Sequence, residues 1–260
     1  MDNPIVLETK HLKKIYNYRT NNAFEALHDI NIQVREGEFV AVMGPSGSGK
    51  TTFINNISTI DEPTMGKVLI NGKDITSMST TEVCHFRYKN LGFIFQNFNL
   101  LETHTICENI AMPLTMAEEK NNVIDQIVRL LANQMNIGEI LDKFPSACST
   151  GQKQRAAICR ALINHPNIIM ADEPTGSLDS INSSEMMKIM QRMNKENVTI
   201  IMVTHDPLIA SYSHRLIYIK DGNIEKELIR GDMKQHDYFL KIVEISTEES
   251  RGIISDDDPS

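Results

Sequence analysis

The chain has no closely spaced cysteines, no long apolar run and no excess of basic residues, and each absence removes a class of protein. Cys84, Cys107, Cys148 and Cys159 lie far apart, with no Cys-x-x-Cys pair and no histidine at ligand spacing. Neither a structural zinc site nor a disulfide framework is expected, and the thiols read as reduced and buried. Apolar stretches such as Ile200-Ile201-Met202-Val203 fall far short of the ~20 residues that a membrane helix requires. Met1-Asp2-Asn3-Pro4 has neither a basic nor an apolar leader region, so the chain reads as cytoplasmic. Lysine and arginine number 26 against 34 acids, a net charge of −8. Much of that excess lies near the end, where Glu244, Glu248, Glu249, Asp256, Asp257 and Asp258 face Arg251 alone. Sequence-independent nucleic-acid binding needs a basic surface, so no nucleic-acid partner is expected.

What is present is ordinary globular composition: 260 residues, 41% hydrophobic and 23% charged, enough for one large core with a subdomain. Period-two alternation marks half-exposed strands at Ile5 to Lys10 and Ile30 to Val34, with a polar loop from Asn17 to Asn22 between them. Phe39 to Met43, Ile168 to Ala171 and Val198 to Val203 are short continuous apolar runs, as expected of strands covered on both faces. Asn71-Gly72 and Asp221-Gly222 each sit between apolar residues and predict hairpins. From Thr105 to Leu141 the pattern turns helical, with Val123, Ile127, Leu130 and Leu131 on one face. This predicts an α/β core carrying a helical subdomain at about 97–155. Met186, Met190 and Met193 read as a core stripe, and 246–260 as a flexible acidic tail.

Gly44-Pro45-Ser46-Gly47-Ser48-Gly49-Lys50-Thr51, directly after an apolar strand, matches G-x-x-x-x-G-K-[ST]. Glycines let backbone N–H groups close around phosphate oxygens, and the helix that follows points its positive end at the same anion. Lys50 adds a point charge, and the Thr51 hydroxyl is placed to ligate Mg²⁺. A second carboxylate site follows the strand Ile168 to Ala171. Asp172 would hold the metal, and Glu173 would act as general base toward the attacking water.

Ser149-Thr150-Gly151-Gln152-Lys153-Gln154-Arg155, about twenty residues before Asp172, resembles the Leu-Ser-Gly-Gly-Gln signature of ABC-type ATPases. The other family marks follow in order. Gln96 resembles the Q-loop glutamine that meets metal and attacking water, and Asp179 the D-loop aspartate, although alone it could simply cap a helix. His205 resembles the switch histidine on the γ-phosphate, and Tyr16 the aromatic that stacks on adenine. The resemblance implies ATP and Mg²⁺, held by Gly44, Pro45, Ser46, Gly47, Ser48, Gly49, Lys50, Thr51 and Thr52. Thr51, Gln96 and Asp172 would be on the metal, and Ser149, Gly151, Gln152 and Asp179 at a composite site.

It also implies a P-loop NTPase fold, with a RecA-like core, an antiparallel β subdomain and an inserted α-helical subdomain. The ATP-binding domain would span 1–230, with a C-terminal extension at 231–260. Two copies would pair head to tail around ATP as a homodimer. Cys148 and Thr150 depart from the signature's usual Leu and Gly. A β-branched Thr150 would crowd the site or demand an unusual φ, so slower hydrolysis is expected.

Asp172-Glu173-Pro174-Thr175-Gly176-Ser177-Leu178-Asp179 and Phe93 to Leu101 resemble the MacB/LolD/FtsE branch. Within it, Thr204-His205-Asp206-Pro207 and Ala210 to Arg215 resemble the bacitracin-type (BceA-like) peptide-antibiotic resistance ATPases. That likeness implies a separate polytopic permease, a place on the inner membrane face through it, and an indirect link to a sensor histidine kinase. Lipoprotein release, macrolide export and an FtsE-like cell-division role are the alternatives. A permease's docking groove would lie near Gln96, with Phe93, Phe95, Phe98, Leu100 and Leu101 as candidates to line it, at least half of them expected in the core instead.

Overall fold

The computed structural model describes residues 3–255. Strands β1 (Ile5–Tyr16) and β2 (Phe24–Arg35) form a long antiparallel pair around the loop at 17–23. Both outrun the alternating segments because bulges interrupt the period. The register shifts between Thr9 and Leu12 and twice more before Ile15, while His11 and Asp29 adopt left-handed φ of 50° and 54°. Each shift changes which face a side chain meets, so alternation stops at Lys10 although the strand does not.

Strand β3 (Phe39–Met43) is buried throughout and leads through the glycine-rich loop into α1 (Lys50–Ile57). Then come β4 (Met65–Ile70), β5 (Lys73–Asp74), α2 (Thr80–Asn90) and β6 (Leu91–Phe95). The expected hairpin at Asn71-Gly72 is formed, with φ of 50° and 73° at the turn. Helices α3 (Ile106–Met116), α4 (Asn121–Gln134) and α5 (Thr150–Leu162) separate β6 from β7 (Ile168–Asp172). On α4 the buried face is Ile124, Val128 and Leu131, whereas Leu130 is 58% exposed. The inward stripe thus lies one residue over from the expected one. The chain closes with α6 (Ser180–Lys195), β8 (Thr199–Val203), α7 (Pro207–Ala210), β9 (Arg215–Lys220), β10 (Asn223–Ile229) and α8 (Gln235–Ser255). The second expected hairpin, at Asp221-Gly222, joins β9 to β10. Helix α8 continues through much of the stretch expected to be flexible, and 256–260 lie outside the described residues.

Among the described residues the strands make two sheets, an antiparallel one ordered β2-β1-β4-β5 and a larger one ordered β10-β9-β3-β8-β7-β6. In the second, β9, β3, β8, β7 and β6 run parallel and β10 is antiparallel at the edge. One face of the larger sheet, with Phe39, Ala41 and Met202, packs on Met186, Met190 and Met193 of α6 and on α5 and α8. The other face, with Val40, Val42 and Val203, packs on Phe53 and Ile57 of α1 and on the antiparallel sheet. Covered on both sides, these strands are apolar at consecutive positions rather than alternate ones. Parallel order also brings the loops after β3, β6, β7 and β8 to one sheet edge, where such sheets hold ligands.

Candidate functional site

The loop after β3 is shaped by glycine. A Cβ at Gly44 would stand 1.9 Å from the Ile219 carbonyl oxygen, so no other residue fits. Gly47 has φ 79° and open space where a side chain would be, leaving its backbone accessible. Gly49 precedes α1 and no side chain caps that helix, so its first-turn N–H groups remain available to an anion. Lys50 folds back and donates to the Pro45 carbonyl at 2.7 Å. Burial lowers its ammonium below the ordinary lysine value, while Glu173 and Asp172 act in the opposite sense.

The carboxylates come from the end of β7. Register pairs Phe95 with Asp172 and Asp172 with Val203, which sets Gln96, Asp172, Glu173 and His205 side by side. Asp172 is raised above the usual carboxylate range by burial and then by Glu173, with Lys50 opposing. Its buried Oδ1 has no hydrogen-bond partner. Glu173 holds a left-handed φ of 47°, a conformation that non-glycine residues rarely adopt and that recurs at functional sites. Its amide is fixed by the Val203 carbonyl at 3.0 Å, and its Oε2 lies 2.8 Å from His205 Nδ1. Gln96 lies against Gly176, where an added Cβ would meet its Nε2 at 2.7 Å.

Tyr16 is brought to the glycine-rich loop from the end of β1: its hydroxyl is 3.3 Å from Thr52 Oγ1 and 3.4 Å from Asp61 Oδ2. Lys14, bonded to Asp61 at 2.7 Å, lies 5.1 Å from the Tyr16 ring centroid. Tyr18 is exposed and faces Arg19 instead. Sequence reading missed Lys14 and Asp61, because a residue within β1 and one after α1 lie far apart in the chain and share no local spacing.

The signature forms a separate group. Ser149 caps α5 in a reciprocal box: its Oγ accepts from the Gln152 amide at 3.3 Å, and Gln152 Oε1 accepts from the Ser149 amide at 2.9 Å. Asp179 caps α6, accepting from the Asn182 amide and side chain at 2.8 Å each. Asn182, not anticipated from sequence, ties the two, since a Cβ on Gly151 would stand 2.6 Å from its Oδ1. Thr150 is the first residue of α5 and has no left-handed φ, so the backbone strain expected of it is absent. Among the described residues no hydrogen bond joins Ser149, Gly151 or Gln152 to the glycine-rich loop, Asp172 or Glu173.

A family model described as "ABC transporter" matches residues 27–176, which contain the loop, Gln96, the signature, Asp172 and Glu173. The chain belongs to the ABC transporter family. It is the ATP-binding subunit of that family, and its activity is ATP hydrolysis. It is 48% identical to the ABC transporter ATP-binding protein YxdL of Bacillus subtilis, over 88% of this chain and 89% of that one. To the bacitracin export ATP-binding protein BceA of Halalkalibacterium halodurans it is 45% identical, over 92% and 94%. The macrolide export ATP-binding/permease protein MacB of Syntrophobacter fumaroxidans is 44% identical, but the chain spans 33% of its length. Among solved structures, the ABC transporter ATPase resembles the dimeric cassette MJ0796 bound to ADP and Pi, with TM-score 0.79 and 35% identity over 86% of this chain and 98% of that one. The α/β cassette fold expected from the sequence is therefore the fold observed. Among the described residues, no helix is long and apolar enough to cross a membrane.

Proposed function

We propose that this ATPase is the motor of a peptide-antibiotic resistance system and works with a separate polytopic permease on the inner face of the membrane. The observation that carries the reading is the near full-length identity with the bacitracin export protein, 45% over 92% of this chain. The macrolide exporter supports a second reading through the shared cassette alone.

In the proposed mechanism the loop Gly44–Thr52 surrounds the phosphates with backbone N–H groups, Lys50 bridges β- and γ-phosphate, and Tyr16 stacks on the base. A hard cation suits the oxygen donors at hand: the unpartnered Asp172 Oδ1, the Thr51 hydroxyl and the Gln96 amide. Bound Mg²⁺ would neutralise charge that develops between the β- and γ-phosphates. Glu173 takes a proton from the attacking water as its oxygen bonds to the γ-phosphorus, and the bond from that phosphorus to the β–γ bridging oxygen breaks, releasing ADP and phosphate. His205, with Nδ1 turned to Glu173, leaves Nε2 for a γ-phosphate oxygen.

Ser149, Gly151, Gln152 and Asp179 would complete the site of a second copy, as expected of a group that, among the described residues, makes no hydrogen bond to its own phosphate loop. A homodimer would thus close on two ATP molecules, and the MJ0796 cassette is likewise dimeric. The permease would dock in the apolar cleft of about 210 Å³ between α2, β6 and α3, where Tyr88, Phe93, Met112 and the 73% exposed Met116 gather. Of the candidates near Gln96, Phe93 lines this cleft, and Phe98, 9% exposed, is among those that belong to the core.

Pull-down of the Glu173→Gln form with ATP and Mg²⁺ from solubilised host membranes tests the assignment. Recovery of a permease with a large external domain, and bacitracin sensitivity on deleting the pair, is the expected result. Recovery of a wall-hydrolase regulator or lipoprotein machinery overturns the antibiotic reading and leaves the ATPase.

A further inference from the structure

We propose that the C-terminal helix α8 sets the position of His205, with Gln235 and Tyr238 as positioning residues that act through α7. The inference rests on the reading of His205 as a γ-phosphate contact.

Helix α7 is a single turn, Pro207–Ala210, too short to hold its shape unaided. It begins two residues after His205, so its placement decides where the imidazole stands. Asp206 caps its start, accepting from the Leu208 amide at 2.7 Å. Its far side is tied by two buried serines: Ser211 Oγ donates to the Leu208 carbonyl at 2.6 Å, and Ser213 Oγ donates to the Ala210 carbonyl at 2.8 Å. Both serines are in turn engaged by α8. Gln235 Nε2 donates to Ser211 Oγ at 3.0 Å, and the Tyr238 hydroxyl lies beside Ser213 while donating to the Leu228 carbonyl at 3.2 Å. Tyr238 and Ile242 are fully buried in one cluster with Ile209 and Ala210 of α7.

His205 itself is held loosely. Its side chain is 71% exposed, and among the described residues Glu173 is its one hydrogen-bond partner. No hydrogen bond among the described residues joins α8 to the loop Gly44–Thr52. Disturbing α8 should therefore move the switch histidine and leave ATP binding intact, a change in kcat rather than in KM.

Steady-state hydrolysis of the full chain, with ATP and Mg²⁺, tests this. Gln235→Ala is expected to lower kcat about threefold and Tyr238→Ala about tenfold, with KM for ATP within about twofold and Tyr238→Phe close to wild type. A second readout is independent of turnover: the His205 ring resonance, assigned by its loss in His205→Ala, should shift in Gln235→Ala. If Tyr238→Ala does not fold, Gln235→Ala still decides, through its kcat, its KM and the His205 resonance. Wild-type kcat and an unmoved His205 resonance in Gln235→Ala, or kcat and KM changing together, overturns the inference. His205→Ala with full turnover instead refutes the role given to His205 itself, so the two failures are distinguishable.

Discussion

Glu173 combines a left-handed backbone, an amide locked to Val203 and a side chain aimed at His205. In the proposed mechanism this carboxylate would act on a proton, which an amide cannot do. Glu173→Gln is expected to lower ATP turnover by about 10²–10⁴-fold while leaving ATP affinity near wild type, measured by phosphate release and nucleotide titration. Thr150 keeps ordinary helical backbone, so any effect on hydrolysis comes from its bulk at the exposed start of α5. Thr150→Gly should raise turnover, and equal or lower turnover removes that idea. The thiols differ in environment: Cys84 is exposed, whereas burial pushes Cys159 up to about 12. Raising a thiol's pKa favours the neutral form, so thiolate is the major form only above that value. At neutral pH an alkylating reagent should label Cys84 quickly and leave Cys159 unmodified in the native protein, read by mass spectrometry.

Helix ends account for the next level. The caps of α5 and α6 are satisfied by their own side chains, Ser149 with Gln152 and Asp179 with Asn182, whereas α1 has no side-chain cap. The uncapped end faces the phosphate loop. Ser149→Ala should cost about 1 kcal/mol of folding stability through the lost cap, measured by chemical denaturation. It should also lower turnover if the hydroxyl serves a second copy's phosphate. The helices of the inserted block were legible as helices because Val123, Ile127, Leu130 and Leu131 recur near the helical period. Their facing was not, because exposed Leu130 is as apolar as its buried neighbours. Strand β1 was legible for half its length, since bulges near His11 break the alternation by which a strand is recognised.

For the molecule as a whole, the phosphate loop and the signature occupy one chain yet share no hydrogen bond among the described residues. Two copies meeting head to tail would join them. In the Glu173→Gln form, ATP with Mg²⁺ should convert monomer to dimer by light scattering, and chelation of the metal should reverse it. A monomer at every ATP concentration would contradict the composite site. Helix α8 belongs to the same core as α7 and the larger sheet, through Tyr238 and Ile242, although nothing in its sequence marked it as connected to the site.

The sequence by itself determined the phosphate loop, the carboxylates after an apolar strand, both hairpins and the order of the family's marks. Those features are local: a turn needs its glycine, and a strand buried on both faces needs its apolar run, wherever they lie in the chain. Tertiary structure alone decided that Tyr16 rather than Tyr18 reaches Thr52, that Glu173 meets His205, that Asn182 of α6 meets Gly151 of α5 and that Gln235 reaches Ser211. Each of these contacts joins residues carried by different elements. Strand order and helix packing set which elements meet, and side-chain composition at either end does not encode that choice.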